Sequence, residues 1–124
     1  MRTAYIVSGL RSAVGKAKKG GLRFVRPDDL AASVIKELVK KTKNLENKQV
    51  DDLIVGNAVP EAEQGMQMAR YISLLSLSKE VPGLIINRYC GSGLEAIHLA
   101  CAKIVAGSAE CVIAGGTESM SLVP

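Results

Sequence analysis

Residues 83–98, GLIINRYCGSGLEAIH, join a short apolar run to a helical pattern through the turn Cys-Gly-Ser-Gly. Such a glycine-rich link is typical of a parallel strand–helix unit. Two interpretations of the turn fit these residues. Gly91–Ala96 matches the G-x-G-x-x-G/A pattern of dinucleotide-binding turns. Alternatively, Cys90 is a nucleophile at a helix start, where unpaired N–H groups and the helix dipole favour the thiolate.

The same alternation of apolar runs and helical periodicity extends along the chain and predicts a β-α-β-α-β-α-β order. The predicted strands are Ala4–Ser8, Asp51–Val59, Gly83–Tyr89 and Cys111–Ala114, and the predicted helices start at Pro27, Met66 and Gly91. Strands that alternate with helices pair through right-handed crossovers. We therefore predict the α/β class, with a mostly parallel mixed sheet. Because residues 91–106 contain only three polar side chains after Ser92, we expect their helix to be central and buried.

The composition narrows the classes of function. Aromatic residues make up only 3% of the chain against 48% hydrophobic residues, so the core must consist of aliphatic side chains, as in covered parallel sheets. A chain so poor in aromatic residues lacks the stacking surfaces of single-strand nucleic-acid modules, and we expect no nucleic-acid partner. The net charge of +4 comes largely from two lysine clusters. We expect Lys36–Lys48 to be a solvated helix face, whereas Lys16–Lys19 could attract a phosphate-bearing ligand.

The cysteines and the histidine are too few and too dispersed for a structural metal site. The chain has three cysteines at wide spacing, no C-x-x-C pair and one histidine, so we expect neither a metal nor a disulfide framework. Free cysteines fit a reducing compartment, and we expect a cytoplasmic protein. No apolar run approaches the ~18 residues of a membrane span, so no membrane partner is expected.

Each interpretation of the turn meets a difficulty. Glu118 follows the last predicted strand, roughly where a ribose-binding acid belongs, but Gly115–Thr117 separate it from the strand end. A nucleophilic cysteine normally needs a base. His98 lies ~12 Å along the helix axis from Cys90 at ~1.5 Å per residue, which is beyond hydrogen-bond reach. We expect Cys101 and Cys111 to be small buried hydrophobic side chains.

Three motifs resemble a known family. NRYCGSGLEAI (87–97) and AGGTESMS (114–121) are similar to the two N-terminal signatures of thiolases, and RSAVGK (11–16) resembles their early loop. The resemblance implies acyl transfer between thiols: thiolytic cleavage of a 3-ketoacyl-CoA, or the reverse Claisen condensation. It implies that Cys90 is the acylated nucleophile and that its backbone N–H belongs to an oxyanion hole. Gly91, Ser92 and Gly93 would bind substrate at the helix entry.

The resemblance also carries expectations about partners. CoA and acyl-CoA would be the substrates, no metal or prosthetic group would be needed, and the enzyme would be a homodimer or homotetramer. The histidine motifs and second cysteine of the family's C-terminal half are absent. We therefore expect residues 1–124 to be an incomplete N-terminal thiolase core domain that is inactive alone and exposes an apolar helix face.

The motif residues also bear on subtype, and two alternatives stay open. Asn87-Arg88 before the cysteine favours degradative 3-ketoacyl-CoA thiolases over biosynthetic acetoacetyl-CoA thiolases, although acetyl-CoA acetyltransferase remains an option. One alternative is a dinucleotide-binding module that uses Gly91–Ala96. The other is a non-catalytic thiolase-like subunit.

Overall fold

A computed structural model describes all 124 residues. Its helices are α1 (Pro27–Lys41), α2 (Met68–Ser76) and α3 (Ser92–Val105), and its strands are β1 (Asp52–Gly56), β2 (Gly83–Ile86) and β3 (Val112–Gly116). Two short 3-10 turns, Asn47–Gln49 and Ala62–Gln64, lie in the connections. The strands form one sheet in the order β2-β1-β3, and both pairings are parallel. The predicted α/β class is confirmed, and the sheet within this chain is wholly parallel.

The helices cover the two faces of the sheet. In the central strand, Leu53 and Val55 point toward α1 and α2, where the larger core cluster lies. Ile54 points the other way and packs with Ala96 and Ala100 of α3. This division follows from the two-residue period of a strand, and all five residues of β1 are buried because both faces are covered.

Local sequence signals fix the ends of α1. Pro27 occupies the first helical turn, where its missing N–H is not needed, and Asp28 and Asp29 sit at the positive end of the helix dipole. Lys40 and Lys41 occupy the last turn, where positive charge is favoured. No helix meets the length and hydropathy that a membrane-spanning helix requires.

The prediction that α3 is a buried helix is wrong for one of its two faces. Only Ser92, Ala96 and Ala100 are buried, whereas the Leu94 side chain is 75% exposed. Alanines four residues apart let one face of the helix approach the sheet closely, and no element of this chain packs on the opposite face.

The predicted strand Ala4–Ser8 is not formed. Residues 1–16 contain no helix or strand, and Tyr5, Ile6 and Val7 are exposed. The segment has strand-forming residues, but a strand also needs a hydrogen-bonded neighbour. No backbone group of residues 1–15 has a backbone partner, and β1 already has a strand on each side.

Glycines set the height of α3 above the sheet. A Cβ atom on Gly56 would lie 2.4 Å from the backbone carbon of Ser92, and one on Gly116 would lie 3.1 Å from the Gly56 oxygen. The ends of β1 and β3 therefore carry no side chain where the start of α3 rests on them. This contact fixes the start of α3, and with it the turn that carries Cys90.

Candidate active site

Cys90 lies in the tight turn between β2 and α3, and its side chain is exposed. β2 ends at Ile86, three residues before its predicted end, because the chain turns at Asn87–Tyr89. Tyr89 adopts a left-handed backbone with φ of 47°, which is uncommon for a bulky residue. Gly91 follows as the N-cap of α3. The cysteine is therefore presented at a helix entrance, as the sequence predicts.

Side-chain hydrogen bonds hold this turn on both sides. The Ser92 hydroxyl accepts a hydrogen bond from the Arg88 N–H (2.8 Å) and donates one to the Tyr89 carbonyl (2.6 Å). The Asn87 side-chain oxygen accepts from the Tyr89 N–H (2.9 Å), and its amide group donates to the Ala58 carbonyl (3.2 Å). The turn is thus tied both to α3 and to the loop after β1.

The first turn of α3 presents unpaired donors. No side chain caps this helix, and its backbone hydrogen bonds leave the N–H groups of Gly93 and Leu94 without a partner in the chain. Together with the helix dipole, such groups attract negative charge. The entrance therefore suits a thiolate or an oxyanion of a bound substrate.

Two charged side chains and the histidine lie beside this entrance. Arg88 Nε is 3.4 Å from Glu95 Oε2, so the ion pair spans the turn from its start to the first turn of α3. His98 is 76% exposed, with Nδ1 3.8 Å from Glu95 Oε1. No hydrogen bond joins His98 to Cys90.

The other two cysteines differ from Cys90 in their surroundings. Cys101 and Cys111 are half-buried, and all three cysteines are unpaired. Burial raises the pKa of the Cys111 thiol, and the nearby Asp51 carboxylate raises it further. A raised pKa keeps Cys111 protonated at neutral pH, so it is a poor nucleophile. Cys90 is the one exposed cysteine.

Glu118 is engaged in the fold. Its carboxylate accepts hydrogen bonds from the Asn57 side chain (3.1 Å), the Gln64 side chain (2.7 Å) and the backbone N–H groups of Ala58 (2.7 Å) and Val59 (3.3 Å). Oε1 accepts three of these bonds and Oε2 accepts one, so the protein's own donors fix the orientation of the carboxylate. These bonds favour a structural role for Glu118 over the ribose-binding role that the dinucleotide interpretation requires.

The sequence motifs did not predict this hydrogen-bond network. Asn57 and Gln64 are fully buried polar residues, which is unusual unless they are hydrogen-bonded. A usable signal was present, since Asn57 follows β1, Glu118 follows β3, and the carboxyl ends of parallel strands share one edge of a sheet.

The lysine-rich early loop borders a separate cavity of about 520 Å³. Arg11 and Lys16 line it together with apolar residues of α1 and with Val55 and Ile113, so it lies on the face of the sheet opposite α3. Cys90 does not line this cavity. No group of three or more His, Cys, Asp or Glu side chains in the chain could hold a metal ion.

The fold and this site together define an α/β protein that presents an exposed cysteine at the entrance of a helix seated on glycine-bearing strand ends. The chain belongs to the thiolase family, because the family model for the thiolase N-terminal domain matches residues 4–124. The resemblance identified from the three motifs is confirmed.

Similar proteins agree with this assignment. The chain is 54% identical over 125 aligned positions to a 3-ketoacyl-CoA thiolase of Bacillus subtilis (strain 168), covering 100% of this chain and 32% of that protein. It is 43% identical to the 3-oxoadipyl-CoA/3-oxo-5,6-dehydrosuberyl-CoA thiolase of Escherichia coli (strain K12), with 100% and 31% covered. The crystal structure of the Bacillus anthracis acetyl-CoA acetyltransferase superposes with a TM-score of 0.80 at 35% identity, covering 89% of this chain and 27% of that one. The chain thus spans about a third of the length of these relatives.

Proposed function

We propose that this protein takes part in thiolytic cleavage of a 3-ketoacyl-CoA, or the reverse condensation, with Cys90 as the acylated nucleophile. One observation carries the proposal: the exposed cysteine stands at a helix entrance where the N–H groups of Gly93 and Leu94 are unpaired. The relative at 54% identity is named a 3-ketoacyl-CoA thiolase, which supports 3-ketoacyl-CoA as the substrate class.

The proposed reaction has two covalent steps. The Cys90 sulfur attacks the 3-keto carbon, and the bond between carbons 2 and 3 breaks with its electron pair moving to carbon 2. Protonation of carbon 2 releases acetyl-CoA, and the acyl group remains on Cys90 as a thioester. The thiolate of free CoA then attacks this thioester and releases the shortened acyl-CoA. CoA and acyl-CoA are substrates, and neither step requires a metal or a prosthetic group.

Residues 91–93 would contact the substrate through their backbone. No atom lies within 4 Å of a Cβ built on Gly93, so the helix entrance is open on that side. We propose that Gly91, Ser92 and Gly93 give the thioester close access and that the Cys90 N–H helps to hold its oxygen.

The acid and the base must come from other groups, since the His98 side chain contacts Glu95. We propose that they belong to a C-terminal half of the same enzyme, and that residues 1–124 are its N-terminal core domain. The relatives are about three times as long as this chain, which supports that assignment.

We further propose a homo-oligomer in the cytoplasm. Tyr89, Leu94 and Ile97 expose apolar surface beside the site, which favours association, and three unpaired cysteines suit a reducing compartment. Sedimentation equilibrium measures the oligomeric state, and a clean monomer at high concentration would contradict the proposed homo-oligomer.

The test of the proposed function is acylation of Cys90. The protein is incubated with acetyl-CoA and digested at low pH, and its peptides are examined by mass spectrometry. We expect an acetyl thioester on Cys90 in the wild type and none in C90A. Absence of the thioester from the wild type of the complete enzyme would favour the non-catalytic thiolase-like subunit.

Purified residues 1–124 test whether this chain alone is sufficient for catalysis. We expect residues 1–124 alone to show no turnover of acetoacetyl-CoA with CoA, because no base contacts Cys90. Turnover by the purified 124-residue chain would show that the acid and base lie within it.

A further inference from the structure

We propose that Ser92 is a positioning residue whose hydroxyl holds the turn that aims the Cys90 sulfur. This inference rests on the proposed role of Cys90 as the nucleophile. It assigns to the Ser92 side chain a task within the protein, whereas the Ser92 backbone remains part of the substrate entrance.

The turn needs such support because it contains an unfavourable backbone conformation. Tyr89 has φ of 47°, a region in which the Cβ atom of an ordinary residue crowds its own carbonyl group. A residue remains in that region only when its surroundings hold it there. Since Cys90 directly follows Tyr89, any relaxation of Tyr89 redirects the cysteine side chain.

The Ser92 hydroxyl holds the backbone around Tyr89. Its hydroxyl accepts from the Arg88 N–H at 2.8 Å and donates to the Tyr89 carbonyl at 2.6 Å, so it bonds the peptide group before Arg88 and the one after Tyr89. Backbone bonds from Gly91 to the Arg88 carbonyl (3.0 Å) and from Ser92 to the Tyr89 carbonyl (3.1 Å) close the same turn. The hydroxyl therefore completes a closed set of contacts around the nucleophile.

The burial of Ser92 indicates that its hydroxyl positions the turn and does not bind substrate. Ser92 is 4% exposed, and its single hydroxyl proton is already donated to Tyr89. Water does not compete for these two bonds, so they hold the turn more firmly than exposed bonds would. The hydroxyl has no proton left to give to a thioester oxygen.

The test compares the reactivity of Cys90 in matched variants of the chain. The alkylation rate of Cys90 by iodoacetamide at pH 7 is followed by peptide mapping, which distinguishes it from Cys101 and Cys111. We expect S92A to slow alkylation about fivefold, the change in an equilibrium when one hydrogen bond is lost. S76A is the control, since Ser76 is another buried helical serine whose hydroxyl bonds a backbone carbonyl, that of Ile72 at 2.6 Å. S76A should leave the Cys90 rate unchanged.

A second pair of variants separates positioning from loss of stability. S92T and S92V have the same shape and differ in the hydroxyl, so both disturb the packing equally. We expect S92T to retain most of the wild-type rate and S92V to resemble S92A, at a temperature where circular dichroism shows both folded. Equal rates for the two would overturn the proposal.

The outcomes also distinguish this proposal from the proposed function. A Cys90 rate in S92A equal to that in S76A would overturn the role of Ser92 and leave Cys90 as nucleophile. Failure of acetyl-CoA to acylate Cys90 in the complete wild-type enzyme would instead overturn the function, while the alkylation rates would still report on the turn.

Discussion

Charged side chains near the strand ends make two kinds of contact: hydrogen bonds to several donors of the fold, and ion pairs at the surface. Glu118 is exposed, but its carboxylate accepts from four donors and joins the loop after β1 to the end of β3. The Arg88–Glu95 pair lies at the surface, with the Arg88 side chain 72% exposed. A surface ion pair contributes about 0–1 kcal/mol, whereas a carboxylate with several donors, two of them on buried side chains, contributes more.

The contribution of Glu118 can be measured by replacing it with its amide. Glu118→Gln keeps the shape but loses the charge and turns an NH₂ group toward one of the donors. We expect the free energy of unfolding in urea to fall by about 1–3 kcal/mol, the range for an unsatisfied hydrogen-bonding group. Glu110→Gln is the control, because Glu110 is paired with Arg2 and its side chain is 80% exposed. Its effect should stay within about 0.5 kcal/mol. Equal effects of the two variants would show that the network contributes little.

Among the elements, those with local causes could be predicted from the sequence. Proline, two aspartates and two terminal lysines mark α1 without reference to the rest of the chain. The turn at Cys90 was also predictable, because cysteine and glycine spacing is a local signal. Two features depend on distant partners. Ala4–Ser8 forms no strand because no neighbour pairs with it, and the sequence did not predict this. The exposed apolar face of α3 was expected only from the family resemblance, because the helical pattern alone indicated a buried helix.

The site shows the same division between local and distant causes. Cys90, Gly91 and Gly93 were identified from the sequence, and the structure brings them to the helix entrance. The contact of Gly56 with Ser92 joins residues far apart in the chain and becomes visible only when β1 and α3 are packed together.

The packing of α3 on β1 gives a prediction for the pair of elements. Gly56→Ala would put a Cβ atom 2.4 Å from the Ser92 backbone, so strand and helix must separate. Overpacking of this kind costs about 1–3 kcal/mol, and we expect that loss in the free energy of unfolding. Because the start of α3 moves, the alkylation rate of Cys90 should fall as well.

Gly93→Ala is the matched control for that variant. A Cβ atom on Gly93 meets nothing within 4 Å, and alanine is preferred over glycine inside a helix by about 1 kcal/mol. We expect Gly93→Ala to be at least as stable as the wild type while acylation of Cys90 by acetyl-CoA is slower. Destabilisation by Gly93→Ala would mean that the helix entrance is more crowded than the structure shows.

Across the whole molecule, the amino ends of β1 and β3 are joined by one carboxylate. Asp51 accepts hydrogen bonds from the backbone N–H groups of Glu110 (2.7 Å) and Cys111 (3.1 Å), and its own N–H donates to the Cys111 carbonyl (2.8 Å). These bonds to the charged form lower the pKa of Asp51 below its usual value. The connection between the first and last strands is therefore sensitive to acid.

This sensitivity predicts how the stability of the chain depends on pH. An aspartate in the unfolded chain has a pKa of about 3.9, and in the folded chain Asp51 titrates below that. Between the two values the unfolded state binds more protons, so stability rises with pH there. The contribution of Asp51 is fully present above about pH 5 and is lost as pH falls through its folded pKa. Asp51→Asn should therefore be less stable than the wild type near neutral pH, and the difference should shrink as the solution is acidified.

The pKa of Glu80 is also lowered, by its hydrogen bond with Ser78, but Glu80 is present in both proteins and drops out of the difference. Urea unfolding of both proteins at a series of pH values measures this difference, and a gap that stays constant down to acid pH would show that the Asp51 charge does not stabilise the fold.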